Sequence, residues 1–448
     1  MRAWSLGLLF ALSAAASAGS NAASQIRAGI SSVSIAPTKP AWLAGYSSRS
    51  HPSKPEGGDI RARALAIDDG SGGRVVIISV ELLGIPRTLT EMIAADIMRA
   101  RGLNRGQILI NASGTHSAPF VQGLQPVLAP AGVEQQHAIA EYTGRLQHSL
   151  FDLTSAAFSN MQPARVSVAF GRASFAVNSR LESAIDPADS VGRVGSSVPV
   201  LRVETAQGQT LAVVFGYACR AATLDAVSYA VSGDYAGVAA TLIERDFRGS
   251  VALFLRLCDG DQSPSPRGSA GFAALHGVEL AAEVLRLLKS PMLTVMGRLT
   301  ATLIETSLAF TPHTRAEFEM ESNSNNPIRA RWAERLLAAY DTRSELRRMP
   351  YPIQVIRFGK GFALVALGGE PAAGYDLKIR RLLALEHLMI LGGTNDAGYF
   401  VPGTGATDSR NADSADSIVY SGLPGAFTNE TEERILDAVN SAWKRVLK

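Results

Sequence analysis

Gln107-Ile-Leu-Ile-Asn-Ala-Ser-Gly-Thr-His-Ser-Ala-Pro119 and Val251-Ala-Leu-Phe-Leu-Arg-Leu-Cys-Asp-Gly-Asp-Gln-Ser-Pro264 are built alike. Each opens as an apolar run of strand length and stops abruptly in small, polar and ionisable residues. In α/β proteins chemistry collects at the carboxyl ends of strands, where a rigid sheet holds the loops. One junction delivers His116, the other Asp261 and Ser263. That is a hydrolase-like set, and it places the candidate active site.

On both sides of these junctions apolar alternation and helical periodicity interleave. Two strand-like runs flank Asp68-Asp-Gly-Ser-Gly-Gly73, and a second hairpin joins Val198–Glu204 to Thr210–Ala218. Helices are expected at Pro86–Ala100, Glu134–Ala157, Tyr235–Phe247, Ala270–Leu288, Pro327–Arg348, Ala372–Leu385 and Glu430–Leu447. A hairpin from Ile353 to Leu367 turns at Gly359-Lys-Gly361, and Asn395 to Asn429 reads as a long polar loop, a kind that is usually functional or disordered. The expectation is a single large mixed α/β domain, residues 26–448, with helices covering a mixed sheet and no immunoglobulin-like domain after it.

Composition fits that reading. The chain has 448 residues, 46% hydrophobic and 19% charged, with a net charge of only +3 and no basic block, so nothing points to nucleic acid. Residues 1–18 have a cationic start, the short apolar run Ser5-Leu-Gly-Leu-Leu-Phe-Ala-Leu12 and the small-x-small site Ala16-Ser-Ala18. Those are the parts of a cleaved signal peptide, so a secreted or periplasmic protein is expected, with no transmembrane segment. Cys219 and Cys258 both end apolar strands; they read as a disulfide if the strands are neighbours, or as two buried small residues.

Five groups can carry chemistry. In Asp259-Gly-Asp-Gln-Ser-Pro264, Ser263 reads as a nucleophile with Asp261 near it, although Ser and Asp before Pro equally serve turns and caps. His116 follows a buried strand among hydroxyl groups, as a metal ligand or general base does. Glu370, in Gly368-Gly-Glu-Pro371, sits where a helix dipole favours a carboxylate, and it is also placed to bind a cation. Tyr399 precedes the long loop, in Gly398-Tyr-Phe-Val-Pro402. Asn178-Ser-Arg180 offers an amide and a guanidinium to a substrate or a developing anion.

Taken together and in this order, these segments resemble the neutral/alkaline non-lysosomal ceramidase family. Further stretches carry the likeness, among them Ala44-Gly-Tyr46, Val80-Glu-Leu-Leu-Gly84, Tyr217-Ala-Cys219 and Val231-Ser-Gly-Asp-Tyr-Ala-Gly237. The resemblance implies a zinc amidase, in which zinc held by two His, a Glu and a Tyr activates water against the amide of an N-acyl sphingoid base. Carried over by position, Glu370 and Tyr399 match two of the ligands. Ser263 matches the serine of the Gly-Asp-x-Ser-Pro motif, Arg180 a substrate-side arginine and Tyr420 a second active-site tyrosine. The implied partner is an N-acyl lipid or similar small molecule, met with at most transient contact at a membrane surface.

The chain departs from the family at two ligands. Where the pattern is His-Thr-His-Ser-Gly-Pro, it has Gly114-Thr-His-Ser-Ala-Pro119, and the position after Ala-Cys is Arg220. Glycine offers no ligand atom and a guanidinium cannot coordinate zinc. Two repairs are open. His116 joins Glu370 and Tyr399 around zinc, or Arg220 pairs with Glu370 and replaces the metal. Function accordingly has three readings: an exported ceramidase-like amide hydrolase, a non-catalytic lipid- or amphiphile-binding relative, and a metal-independent serine hydrolase.

Overall fold

Val, Ile and Leu crowd residues 74–80, 108–112, 210–217 and 251–256, and all four runs form strands with almost every residue buried. Continuous apolar strands belong inside a sheet covered on both faces. The computed structural model, which describes residues 26–55, 57–178, 196–342, 346–403 and 412–448 (412–415 as backbone), places them in one nine-stranded sheet. Its order is Ile108–Ala112, Arg74–Val80, Arg61–Asp68, Arg27–Ser34, Gln162–Arg172, Ser197–Thr205, Thr210–Tyr217 and Val251–Arg256, with Leu293–Val295 beside Gln162–Arg172. The pairs at the two ends are parallel and those between are antiparallel.

A second sheet of five strands runs Leu388–Leu391, Phe362–Leu367, Arg348–Phe358, Leu299–Pro312 and Gly425–Phe427. Its edge strand Leu388–Leu391 leads to both ends of the first sheet: Asn111 bridges to Thr394 and Leu257 to Leu391. Residues of both sheets, such as Leu65, Val75, Ile356 and Leu364, share one apolar cluster. Helices Arg87–Arg101 and Val133–Ser159 cover one face of the large sheet through another cluster, and Asp234–Asp246 and Ala270–Leu288 cover a different part. Thr431–Val446 packs on the small sheet. The mixed α/β architecture expected from the sequence is therefore present.

Several expectations need correction. The helix from Pro327 stops at Asp341, and Arg348 already belongs to a strand. Asn395–Asn429 is not one loop. Phe400–Val401 pairs with Glu370–Pro371, Ala412–Tyr420 is a helix, and Gly425–Phe427 joins the small sheet. The strand Leu299–Pro312 had no counterpart in the sequence reading. Both cysteines are free and buried, Cys219 and Cys258 lying in different apolar clusters. The expected leader and Arg180 lie outside the described residues. Among the described residues no helix is long and apolar enough to cross a membrane.

Candidate functional site

Both junctions that open the sequence reading end at one place, because Asn111 ties three strand ends together. Its Nδ2 donates to the carbonyl of Gly392 (2.7 Å), to Thr394 Oγ1 (2.9 Å) and to the Arg256 carbonyl (3.3 Å). Its Oδ1 accepts from the Arg256 amide at 2.8 Å. A fully buried amide with its bonds made fixes the relative position of the chains it joins.

Arg256 ends the strand Val251–Arg256 and is itself 0% exposed. Nε donates to both oxygens of Asp259, at 2.8 and 2.7 Å, and Nη1 reaches Glu370 Oε1 at 3.3 Å. Burial alone would lower its pKa, but Asp259 and then Glu370 outweigh burial and raise it above the ordinary arginine value. The guanidinium is therefore a permanent buried cation between two carboxylates. Glu370, in turn, is pushed up by burial but held below the usual carboxylate range by Arg256 and then Arg220.

His116 and Arg220 face the same centre from separate loops. The His116 amide donates to the Ala221 carbonyl (3.1 Å), and its carbonyl accepts from Arg49 Nη1 (2.6 Å). Its ring lies 5.0 Å from that of Tyr46. Asp234 holds the Arg220 loop from the other side. Its carboxylate accepts from the amides of Thr223, Leu224 and Tyr235, and the Tyr235 hydroxyl donates to the Cys219 carbonyl. Asp234 does this at φ +55°, a backbone state that costs a non-glycine residue energy. The His116 ring is partly exposed to the cavity, whereas Nδ1 is enclosed and has no hydrogen-bond partner among the described residues. Burial, opposed by Glu370 and reinforced by Arg220, Arg256 and Arg49, pulls its pKa down to about 3. At neutral pH the imidazole is uncharged.

Above this centre lies a cavity of ≈ 260 Å³ whose lining includes Tyr46, His116, Arg220, Arg267, Glu370 and Tyr420. It has room for a head group or a bond under attack, and a long acyl chain must extend beyond it. The Tyr420 hydroxyl lies 3.1 Å from Asp416 Oδ2 and 3.4 Å from Ser47 Oγ.

The other candidates sit differently. Ser263 is 3% exposed in a short strand paired with Ala176–Asn178, and Arg220 Nη2 donates to its Oγ at 2.7 Å. Among the described residues Ser263 Oγ has no bond to His116, so no Ser–His couple is assembled. Asp261 is a tether. Its Oδ1 accepts from the Ala373 amide (2.8 Å) and Gln262 Nε2 (3.2 Å), and its Oδ2 from Asn178 Nδ2 (3.2 Å). Asn178 thereby serves the same tether. Tyr399 is turned into the core of the small sheet, its ring against Gly369 and its hydroxyl 3.2 Å from Asp396 Oδ2. Burial and then Asp396 hold that phenol well above its usual pKa, which opposes the phenolate a metal would need. Of the predicted residues, then, His116, Arg220, Glu370 and Tyr420 come together around the cavity, Ser263 lies beneath Arg220, and Tyr399 does not join them.

Arg256, Asp259 and Asn111 were missed as site residues, though a signal was present. A lone arginine inside Val-Ala-Leu-Phe-Leu-Arg-Leu-Cys is a buried charge that demands carboxylates close by.

The zinc that the resemblance implies does not fit these residues. A Cβ on Gly114 would lie 2.9 Å from Arg256 Cζ and 3.0 Å from Nε and Nη1, so the guanidinium fills the space where the expected histidine would project. Arg220, which faces the same cavity, is a guanidinium and cannot coordinate a metal, and Tyr399 is engaged elsewhere. Among the described residues no three His, Cys, Asp or Glu side chains gather as a metal site. Of the two repairs considered, zinc around His116, Glu370 and Tyr399 lacks the tyrosine. Replacement of the metal by an arginine has the right chemistry, but the ion pair to Glu370 at 3.3 Å comes from Arg256, with Arg220 adding charge nearby.

Comparison with known proteins bears out the resemblance. Neutral ceramidase B of Dictyostelium discoideum is 25% identical over 229 residues, 46% of this chain. The match takes in only 31% of that relative's own length. The crystal structure of neutral ceramidase from Pseudomonas aeruginosa superposes with a TM-score of 0.72 at 17% identity, covering 94% of this chain and 75% of that one. A ceramidase complexed with C2 gives 0.71 at 16% identity, covering 94% and 76%. No family model matches the chain. The fold is that of neutral ceramidase.

Proposed function

We propose that this protein is an exported hydrolase of the neutral ceramidase type that cleaves the amide of an N-acyl lipid without a bound metal. The observation that carries the reading is the meeting of His116, Arg220 and Glu370 at one cavity over converging strand ends. Such a cavity suits an acyl carbonyl: Arg220 is a cation for the developing oxyanion, and the neutral His116 can take a proton from attacking water. Water adds at the acyl carbon, the C–N bond breaks, and the proton passes from imidazolium to the leaving amine, giving a fatty acid and a free amine. A base held near pKa 3 is weak, so turnover should be slow. Export is inferred from the leader-like residues 1–18.

The enclosed guanidinium beside Gly114 favours a second reading, binding of an N-acyl amphiphile without cleavage. Fatty-acid release from N-acyl sphingosine and other N-acyl lipids, measured in the presence of a chelator, separates the two. Release that His116→Gln abolishes, with lipid binding kept within a few-fold, supports hydrolysis. Saturable binding without release selects the second reading. Neither binding nor release from any N-acyl lipid rules out both.

A further inference from the structure

We infer that Arg256 is a built-in replacement for a catalytic metal: its guanidinium occupies the cation position of the centre, and Gly114 is the vacancy that admits it. This deepens the metal-free reading above, and it stands on three independent contacts. The guanidinium lies between the carboxylates of Asp259 and Glu370, as a metal between its acidic ligands would. Its atoms fall 2.9–3.0 Å from where the first side-chain carbon of residue 114 would be, so a histidine at 114 requires the guanidinium to shift. Its backbone is fixed by Asn111, and its buried bonds to Asp259 and Glu370 hold the side chain in place.

The arrangement has a chemical consequence. A guanidinium offers N–H donors and a single charge but no open coordination position, so it cannot bind water and lower its pKa as zinc does. It can hold Glu370 ionised and fixed. Arg256 is accordingly a positioning residue, acting on the cavity through Glu370. Its Nη2 is enclosed and has no partner among the described residues, which is the donor a bound water or a substrate oxygen would satisfy.

The test measures metal and stability without any substrate, so it is decided separately from whether N-acyl lipids are cleaved. Purified wild-type protein incubated with excess zinc and desalted should retain far less than one zinc per chain, and its Tm should not rise with zinc. Arg256→Ala should lose several degrees of Tm and regain part of the loss when millimolar zinc or methylguanidinium is added, because either cation can enter between the two freed carboxylates. Stoichiometric zinc in the wild type would overturn the inference, as would an Arg256→Ala protein no less stable than the parent. If Arg256→Ala does not fold, Arg256→Met is compared with the Arg256→Met/Glu370→Gln double variant. Removal of one of the two orphaned carboxylates should recover part of the lost Tm, and a double variant no more stable than the single also overturns the inference.

Discussion

His116 shows how a single side chain can be held in one protonation state by its surroundings. Its pKa falls to about 3 in the folded protein, from an ordinary value near 6.5 when unfolded. The unfolded chain therefore binds a proton that the folded chain refuses, and the stability contributed is complete above pH ~6.5 and lost as pH falls toward 3. The limiting slope for one such group is about 1.4 kcal/mol per pH unit, and the partly exposed ring brings the real slope below that. His116→Asn should flatten the stability–pH curve between pH 6.5 and 4, so that the wild type loses ground to the variant as pH drops. Parallel curves in urea titrations across that range would show that His116 is not held neutral. Asn111 makes the complementary point for a group that never titrates. Asn111→Ala leaves the buried Arg256 amide and Gly392 carbonyl without these partners, and a loss of roughly 2–4 kcal/mol follows from unsatisfied buried groups. Chemical denaturation measures it, and a loss under 1 kcal/mol would mean other groups or water take over.

At the scale of elements, what positions the site is a set of loops clipped to helix starts. Asp261 reaches across from the Gly260–Pro264 segment to the Ala373 amide, at the start of helix Gly374–Leu383, and so fixes the strand that carries Ser263 under Arg220. Asp261→Ala removes the bond to the Ala373 amide and the Asn178 contact together. About 1–2 kcal/mol should be lost, along with order in the Ser263 strand. Hydrogen exchange reads both effects, and unchanged protection of the Gln262 and Ser263 amides would sink the tether. The strand ends that deliver His116, Arg220, Ser263 and Glu370 were legible in the sequence, because an apolar run that stops in Gly, Ser and Asp announces both its burial and its edge. What those loops meet was not legible. Tyr399 sits next to the site in sequence but points into the core, since the two faces of an extended segment look opposite ways and only packing selects between them. The overrun of the helix from Pro327 has a similar cause: its apolar periodicity meets no Gly or Pro before Pro350. Arg256 stayed unread because an arginine in an apolar strand declares its need for carboxylates without naming which ones.

For the whole molecule, the decisive feature is that the site lies on the seam between two sheets. Each contributes to it: His116 and Arg220 follow strands of the large sheet, Arg256 ends one, and Glu370 follows a strand of the small sheet. The seam is sealed by polar bonds as well as apolar contact. Gln354 of the small sheet donates to the carbonyls of Gly106 (2.7 Å) and Ile108 (3.1 Å), and it accepts from Asn395 Nδ2 at 2.7 Å. Asn395 Oδ1 in turn accepts from the Ile110 amide. All of these groups are buried, and the sheets share the cluster around Leu65, Val75, Ile356 and Leu364. Separating the sheets would expose that cluster and strand several buried donors and acceptors at once, so neither sheet has a stable existence alone. The two should therefore unfold in one cooperative transition despite the chain's length. Gln354→Leu should lower the midpoint of that single transition, by roughly 2–4 kcal/mol of stability, without splitting it. Calorimetry beside near- and far-ultraviolet circular dichroism decides the matter. Two resolved transitions in the parent, or a Gln354→Leu variant in which only the small sheet melts early, would mean that the seam joins two independent folding units and that the site is assembled only when they dock.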